Sequence, residues 1–281
     1  MNDLPAELQN AILSFLEPVG GLFATMQCSH SLSAASRSVY ASRQIDVGNS
    51  MKDAVDRAAP GDTLCLSSTH TVLEPICISQ PLRLVGTTNG SIIILQSGMI
   101  TVSTAGTAVF DDVRIFDASP ARFPNTTIVV ECGTLVMSHC HITHDLRAEI
   151  HKCPIPGDAW SESDVDTYSS YYVSLIGDGP MCGIWVKGHL DLQNTHVWAT
   201  RGPAVKVLHG NFTAVSSTLA FARRGGNLVM NGGSAVLDSC TLQASLCDGV
   251  STWNNSKLQL TRCTIRDNVR YAIARNGKDS L

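Results

Sequence analysis

The stretch GNFTAVSSTL (Gly210–Leu219) decides the fold, because similar stretches recur on both sides of it at a nearly fixed spacing. The other copies are GTLVMSHCHI (Gly133–Ile142), GHLDLQNTHV (Gly188–Val197), GSAVLDSCTL (Gly233–Leu242) and SKLQLTRCTI (Ser256–Ile265). The units that begin at 188, 210, 233 and 256 lie 22, 23 and 23 residues apart. Self-similarity at this period is typical of a stacked-repeat protein, in which one unit cannot bury its apolar face alone.

Within each unit, counted from its first residue as zero, small, apolar or hydroxyl residues stand at offsets +2, +4, +7 and +9. In the unit of Gly210 these are Phe212, Ala214, Ser217 and Leu219. Alternation with a period of two predicts a β-strand, and the residue skipped between +4 and +7 predicts a bend at +5 or +6. A second short strand follows, centred in successive units on Ile184, Val205, Leu228, Val250 and Ile273.

Two or three short strands per turn, kept in register from coil to coil, predict a mainly β protein with a parallel β-helix, a solenoid of the pectin-lyase-like type. Leucine-rich repeats have the same period, but their asparagine ladder and helical segment are absent from this sequence. The general rule for parallel crossovers predicts a right-handed coil. The inward offset +7 carries small residues that suit a narrow interior, namely Cys140, Thr195, Ser217, Cys240 and Cys263. We expect the β-helix to span 44–281, with an amphipathic helix at 50–59 capping its open end.

The composition restricts the class of protein. Charged residues make up 16% of the chain, against about 25% in an average domain, as expected where many strand positions face a shared core. No run of 18 apolar residues occurs, so no membrane span is predicted. The N-terminus lacks the basic region of a signal peptide, and ten cysteines without such a signal indicate reduced thiols in the cytoplasm or nucleus.

The acidity is concentrated in a loop insertion at about 145–181. This segment holds seven acids and two bases, whereas the whole chain has a net charge of −4 and the remainder is therefore close to neutral. The insertion enters the unit of Gly133 near offset +11, at the turn that precedes the second strand. It also contains the aromatic residues Trp160, Tyr168, Tyr171 and Tyr172. Such long loops are usually functional or disordered, so it is either a recognition element or a spacer.

Four arginines converge on the same turn. Arg201 and Arg223 share offset +13 in neighbouring coils, Arg224 is adjacent, and Arg270 stands at +14 two coils further on. Stacked arginines can hold an acidic or phosphorylated peptide by bidentate hydrogen bonds. The alternative is a turn of isolated, solvated charges. If the turn is a recognition site, the acidic loop either folds over the arginines as a pseudo-ligand or forms one wall of a groove.

The sequence does not predict a catalytic site. Glycosidases need two carboxylates about 5–10 Å apart, which on this scaffold means acids at matching offsets in adjacent coils, about 4.8 Å apart. The acids Asp191 (+3), Asp238 (+5), Asp248 (+15) and Asp267 (+11) share no offset, and a calcium-dependent lyase would likewise need clustered acids. A carbohydrate-active enzyme, either a polysaccharide lyase or a glycosidase, remains the alternative function.

A group of potential metal ligands occurs at the start of the insertion, namely His139, His141, His144, His151 and Cys153. Strand alternation places His139 and His141 outward and Cys140 inward, and neither a CxxC nor an HExxH spacing is present. We therefore predict solvated surface histidines, no metal site and no cofactor.

The N-terminal residues do not follow the repeat. They read Leu4-Pro5-Ala6-Glu7-Leu8, then Ile12-Leu13-Ser14-Phe15-Leu16, then Met26-Gln27-Cys28. Apolar residues at 8, 12, 13, 15 and 16 predict a helical stripe, with Pro5 in a first helical turn. Over residues 3–40 this pattern resembles the F-box, in which Leu-Pro-x-Glu-Leu precedes Ile-Leu-x-x-Leu and a hydrophobic–Cys pair. The aromatic residue usual after that cysteine is absent here.

An F-box at 1–43 followed by a β-helix is similar to plant F-box proteins that bind the Skp adaptor, and more distantly to animal F-box-only proteins with β-helix repeats. The segments 59–63 and 81–86 also resemble the plant group. The resemblance implies a non-enzymatic substrate-recognition subunit of a Skp–cullin–F-box ubiquitin ligase, with an unknown protein target and neither nucleic acid nor membrane as a partner. The implied adaptor contacts are Leu4, Pro5, Leu8, Ile12, Leu13 and Leu16. A non-catalytic scaffold that only assembles partners is a further alternative.

Overall fold

The computed structural model describes residues 44–47, 50–87, 91–96, 98–118, 126–144, 182–223 and 225–275. The strands form three parallel sheets. The first sheet contains β1 (Gln44–Asp46), β2 (Thr63–Leu66), β5 (Leu82–Gly86), β8 (Thr107–Asp111), β11 (Thr134–Ser138), β14 (His189–Gln193), β17 (Asn211–Val215), β20 (Ser234–Asp238) and β23 (Lys257–Thr261). The second contains β3 (His70–Val72), β6 (Ile92–Leu95), β9 (Arg114–Asp117), β12 (His141–Thr143), β15 (His196–Trp198), β18 (Thr218–Ala220), β21 (Thr241–Gln243) and β24 (Thr264–Arg266). The third contains β4 (Ile76–Ile78), β7 (Ile100–Val102), β10 (Ile128–Val130), β13 (Ile184–Val186), β16 (Val205–Leu208), β19 (Leu228–Asn231), β22 (Val250–Trp253) and β25 (Ile273–Arg275).

From β2 onward the strands follow one another in threes, one from each sheet, so every turn of the chain adds a strand to all three sheets. This confirms the parallel β-helix, with three strands per turn where the sequence indicated two or three. The apolar residues at the inward offsets form one continuous core. In the unit of Gly210, Phe212, Ala214, Ser217 and Leu219 are each 1% exposed, as predicted. The right-handed sense of the coil stays a prediction.

In the coils from β8 onward, the chain turns at the first corner, between the first and second strands, on a single residue. The residue at offset +6 has a positive φ of 47° to 55° in six coils, namely Asp112, His139, Asn194, Ser216, Ser239 and Arg262. One residue in the left-handed conformation turns the chain sharply from one sheet into the next. The bend predicted at +5 or +6 is thereby confirmed.

The residue at +7 completes this corner from inside. Cys140, Thr195, Ser217 and Cys240 are at most 2% exposed, and each donates a hydrogen bond to the carbonyl oxygen two residues earlier. For Thr195 and Ser217 the distances from Oγ to oxygen are 3.0 and 2.9 Å. The Thr195 hydroxyl also accepts from the backbone N–H of Cys140 in the preceding coil, at 3.3 Å. The small residues therefore fill the core and also pair buried backbone groups, which would otherwise be costly.

The glycine that opens most units is required by the stacking of the coils. A Cβ atom on Gly233 would lie 2.2 Å from the carbonyl oxygen of Gly210, and one on Gly210 would lie 2.5 Å from that of Gly188. Gly233 also has a φ of +75°, which only glycine adopts readily. The third corner, where each coil passes to the next, is therefore built on backbone contact.

The described residues contain one helix, α1 (Met51–Arg57), inside the predicted range 50–59. Ser50 caps it by accepting a hydrogen bond from the backbone N–H of Asp53 at 3.2 Å. Its apolar side buries Met51, Ala54 and Val55, and it contacts β4 and β3, the first strands of the third and second sheets. The helix thus packs its apolar side against the start of these two sheets. The predicted F-box at 1–43 lies outside the described residues.

Candidate functional site

The second corner of each coil, between its second and third strands, carries the arginines singled out in the sequence. Arg201 lies between β15 and β16, Arg223 between β18 and β19, and Arg270 between β24 and β25. The segment 145–181 lies between β12 and β13, so it joins the coil at the same corner, as the repeat register predicted. Arg224 and the four aromatic residues Trp160, Tyr168, Tyr171 and Tyr172 are outside the described residues.

A buried polar cluster lies behind this corner. Asp117, Thr127 and His144 are 1%, 0% and 8% exposed. The Thr127 hydroxyl donates to Oδ2 of Asp117 at 3.2 Å and lies 2.6 Å from Nε2 of His144. The backbone N–H of Arg201 donates to Nδ1 of His144 at 3.2 Å. Three successive turns of the chain are joined through these side chains.

The hydrogen bonds define the state of the imidazole. Because Nδ1 of His144 accepts from Arg201 and the Thr127 hydroxyl is used as a donor to Asp117, Nε2 must carry the proton and donate to Thr127. Burial holds the pKa of His144 well below its usual value, an effect that Asp117 opposes and that the charges of Arg201 and Arg223 reinforce. His144 is therefore neutral at physiological pH, and its ring is fixed on both sides.

Two of the predicted arginines lie close to this cluster. Arg201 and Arg223 belong to consecutive coils and are both close enough to His144 for their charges to lower its pKa. Each side chain is partly exposed. The second corner thus has a fixed, buried polar interior and a basic outer rim.

In the later coils a second polar cluster supports the corner. Asn227 is fully buried, accepts from the backbone N–H of Ala222 at 3.3 Å, and donates from Nδ2 to the Gln243 carbonyl oxygen at 3.0 Å and to Oδ1 of Asn268 at 3.2 Å. Oδ1 of Asn268 also accepts from the backbone N–H of Ser245 at 3.0 Å. These amides pair the backbone N–H groups of Ala222 and Ser245 and the carbonyl oxygen of Gln243, next to the backbone hydrogen bonds that join neighbouring coils at this corner.

The carboxylate of Asp248 accepts hydrogen bonds from two neighbouring groups. It accepts from the Ser251 hydroxyl at 2.6 Å and from the backbone N–H of Tyr271 at 3.3 Å. These contacts join the second corners of the last two described coils.

The register of the described strands brings no two acids together. Asp191 pairs with Val136 and Thr213, and Asp238 pairs with Val215 and Thr261. Asp191 accepts from Gln193 and Thr213 at 3.0 Å each, and Asp238 binds the guanidinium of Arg262. These carboxylates therefore act as partners for neighbouring polar side chains and not as a pair across a substrate.

The histidines are only partly as predicted. His139, with its side chain 63% exposed, and His141 both face outward, whereas Cys140 is buried in the core. His141 stacks on His196 of the next coil, with ring centroids 4.9 Å apart, and burial, His196 and Arg114 together lower its pKa to about 4. The prediction that His144 is a solvated surface residue is wrong, because it lies inside the second corner. His151 and Cys153 are outside the described residues.

Asp117 and Thr127 were missed in the sequence, although a signal for Asp117 existed. The segment GTAVFDDVRI (Gly106–Ile115) is one more unit of the repeat, and its strand β8 pairs in register with β11. Counted from Gly106, Asp117 stands at offset +11, and His144 stands at the same offset in the next coil. The sequence signal for this cluster is therefore a pair of ionisable residues at the same offset in adjacent coils.

Comparison with known proteins assigns this chain to no family. No family model matches the sequence, and no curated protein resembles it significantly. Among solved structures, ORF18 of Geobacillus virus E2 is similar over 88% of this chain at 9% sequence identity, with a TM-score of 0.43. The chain spans 64% of the length of that viral protein. Within the described ranges, no helix has the length and apolar character needed to cross a membrane.

Proposed function

We propose that this chain is a non-catalytic recognition protein, the substrate-binding subunit of a Skp–cullin–F-box ubiquitin ligase. In this proposal residues 1–43 bind the Skp adaptor, and a right-handed β-helix presents the target. The proposal places the protein in the cytoplasm or nucleus, where such ligases operate and where its thiols stay reduced. The N-terminal half of the proposal rests on the resemblance of the first 43 residues to the F-box.

The observation that carries the recognition half is the structure of the second corner. Arg201 and Arg223 lie on consecutive coils. The imidazole of His144 accepts a hydrogen bond from the backbone N–H of Arg201, and both arginines are close enough to this ring to lower its pKa. Adjacent coils are about 4.8 Å apart, so their guanidinium groups would follow an extended ligand. Guanidinium groups bind carboxylates and phosphates in a bidentate manner. An acidic or phosphorylated segment of a target protein is therefore the ligand that we propose.

Charged side chains on a rigid backbone are well suited to binding a ligand. Side chains on a preformed backbone lose less conformational freedom on binding than side chains on a free loop. The buried side chains of His144 and Asn227 form hydrogen bonds with this irregular backbone. Thr127 links the ring of His144 to the carboxylate of Asp117. The acidic insertion at 145–181 joins the chain at this corner and is the natural competitor for the same basic rim.

Co-purification with a Skp adaptor tests the proposal. The full chain is co-expressed with the adaptor and isolated through a tag on the adaptor. We expect a stable complex with the wild type and its loss with Leu8→Asp combined with Ile12→Asp. The control is Val215→Asp combined with Val236→Asp, which makes the same chemical change at exposed valines of the first sheet and should leave the complex intact.

A wild-type chain that does not bind the adaptor would overturn the receptor proposal. If that chain also self-associates, the result would favour the scaffold alternative. Release of reducing sugar or of an unsaturated product from a polysaccharide would instead favour a carbohydrate-active enzyme.

A further inference from the structure

The outer face of the first sheet changes character along the solenoid. Val109 and Val136 face outward from β8 and β11, yet they are only 1% and 9% exposed. Val215 and Val236 face outward from β17 and β20 of the same sheet and are 46% and 42% exposed. The residue type, the strand conformation and the sheet are the same in both pairs. Arg83 pairs with Val109 and binds Asp111 across this face, but the Arg83 side chain is itself only 14% exposed, so chain from outside the first sheet covers the early strands.

Polar groups on the early part of this face are also shielded from water. Thr63 pairs with Arg83 and Arg83 with Val109, which places Thr63 on the outer face in line with the buried valines. Thr63 and Ser138 are 2% and 6% exposed, and their hydroxyl oxygens have no hydrogen-bond partner among the described residues. A surface open to solvent would supply water to both hydroxyls. The covered area therefore extends from β2 to β11.

Within the described ranges, helix α1 does not explain this cover, because it contacts β3 and β4 of the other two sheets. The longer segments outside the described residues are 1–43, 119–125 and 145–181. The last two leave the coil between its second and third strands, at a corner that the first sheet does not border. Residues 88–90 follow β5 of the first sheet, but three residues cannot cover four strands.

We infer that residues 1–43 pack on the outer face of the first sheet, over Val109 and Val136. This segment leads directly into β1, the edge strand of that sheet, on the side where the covered strands lie. From β1 to β8 there are three strand spacings, and to β11 four, or roughly 14 and 19 Å. Even a helical chain of 43 residues, rising 1.5 Å per residue, spans that distance.

The sequence of the segment matches the face that it would cover. Its apolar residues Leu8, Ile12, Leu13, Phe15 and Leu16 recur at helical spacing, so a helix formed there would have one apolar side that requires a partner. The two buried valines form an apolar patch of their own, separate from the interior core. This inference concerns the chain without an adaptor. Because Leu8, Ile12, Leu13 and Leu16 are also the proposed adaptor contacts, adaptor binding would have to displace the segment from this face, and the labelling test is therefore made on the chain alone.

Cysteine labelling in the full chain tests the packing. Val109→Cys and Val236→Cys are prepared as matched single variants, and the rate of maleimide alkylation at each new cysteine is followed by peptide mass spectrometry. We expect the cysteine at 109 to react at least about tenfold more slowly than the one at 236, because it reacts only through local opening. Adding Leu8→Asp with Ile12→Asp should bring the rate at 109 close to the rate at 236. Cys140, which is buried inside the coil, must stay unlabelled as the control for folding.

Two results would overturn the inference. Equal labelling at 109 and 236 in the otherwise unaltered chain would show that the face is open. Slow labelling at 109 that survives the Leu8 and Ile12 substitutions, but is lost when 147–178 are deleted, would assign the cover to the acidic insertion.

A second measurement decides the matter if the N-terminal substitutions unfold the chain. Val109→Asp with Val136→Asp should speed protease cleavage within residues 1–43, whereas Val215→Asp with Val236→Asp should not. Unchanged cleavage in the first variant would also contradict the inference.

Discussion

The first and second corners of the coil both direct the chain from one sheet into the next, but they are built differently. The first corner uses one left-handed residue at +6 and one small donor at +7, and it repeats in coil after coil. The second corner varies in length, contains the 145–181 insertion and is supported by buried side chains such as Thr127 and Asn227. The regular corner builds the solenoid, and the irregular corner has the freedom to recognise a ligand.

This difference has a physical basis. A corner that is two residues long leaves few backbone groups unpaired, so one left-handed residue and one small donor complete it. A corner of six or more residues leaves buried N–H and C=O groups without a ladder partner, and each must find a side chain or water. Side chains recruited for that purpose then fix the positions of their neighbours, among them Arg201 and Arg223.

The largest loss of stability is expected from a larger side chain at offset +7, inside the first corner. Ser217→Leu places a bulky side chain in a fully packed site, at a cost of about 1–3 kcal/mol, and removes the hydrogen bond to the Val215 carbonyl, worth about 1 kcal/mol. Urea denaturation should show the sum of both losses. Ser217→Cys is the matched control, because cysteine occupies this offset in other coils, and it should cost less than about 1 kcal/mol.

At the second corner, removal of one hydroxyl should uncouple the buried cluster. Thr127→Val preserves shape but leaves the N–H of His144 and the carboxylate of Asp117 without this partner, at a cost of about 1–3 kcal/mol. Thr264→Val, on an exposed strand position, should change the free energy of unfolding by less than about 0.5 kcal/mol. Equal costs at the two threonines would mean that the cluster does not support the corner.

A smaller effect is expected at the left-handed residue of the first corner. Ser216 has a φ of 49° and is exposed, so Ser216→Val tests backbone conformation with little change in packing. A β-branched residue is disfavoured there, and we expect a loss of about 1 kcal/mol. Ser216→Asn should be neutral or slightly stabilising, because Asn194 occupies this offset one coil earlier. A valine variant as stable as the asparagine variant would contradict the assigned role of this residue.

A further prediction concerns pH. Burial, His196 and Arg114 lower the pKa of His141 to about 4 in the folded chain, whereas an unfolded histidine titrates near 6.5. Between these values the unfolded chain binds the proton and the folded chain does not, so the free energy of unfolding should fall as the pH is lowered from 6.5 towards 4. His141→Gln should reduce this fall in urea denaturation followed over that range. A pH dependence unaltered by His141→Gln would refute the assignment.

The sequence predicted the repeating parts of the fold because they depend on short-range patterns. Offsets +2 to +9 follow strand alternation, and the skip between +4 and +7 marks the left-handed residue. Cys140 and its equivalents face inward as expected. The strand bounds of β12 and β13 also agree with the predicted entry point of the insertion.

The cluster behind the second corner escaped prediction because its members come from three separate parts of the chain. Asp117 and Thr127 flank the second corner of one turn and His144 follows the second strand of the next, so they meet only when both turns are folded. Nothing local distinguishes a buried histidine from a solvated one. The register did carry part of the information, since Asp117 and His144 share offset +11. Register identifies which residues are neighbours, but it does not tell which of them water can reach.

The most direct measurement of the recognition role is peptide binding at the second corner. An array of acidic and phosphoserine peptides is screened with the full chain, and the affinity of the best peptide is measured by fluorescence anisotropy. Arg201→Ala with Arg223→Ala should weaken binding at least about tenfold, which corresponds to about 1.4 kcal/mol. Arg262→Ala, which removes an arginine from the first corner, should leave the affinity unchanged. Failure of the wild type to bind any such peptide, or equal weakening by the two variants, would contradict the assignment of recognition to the second corner.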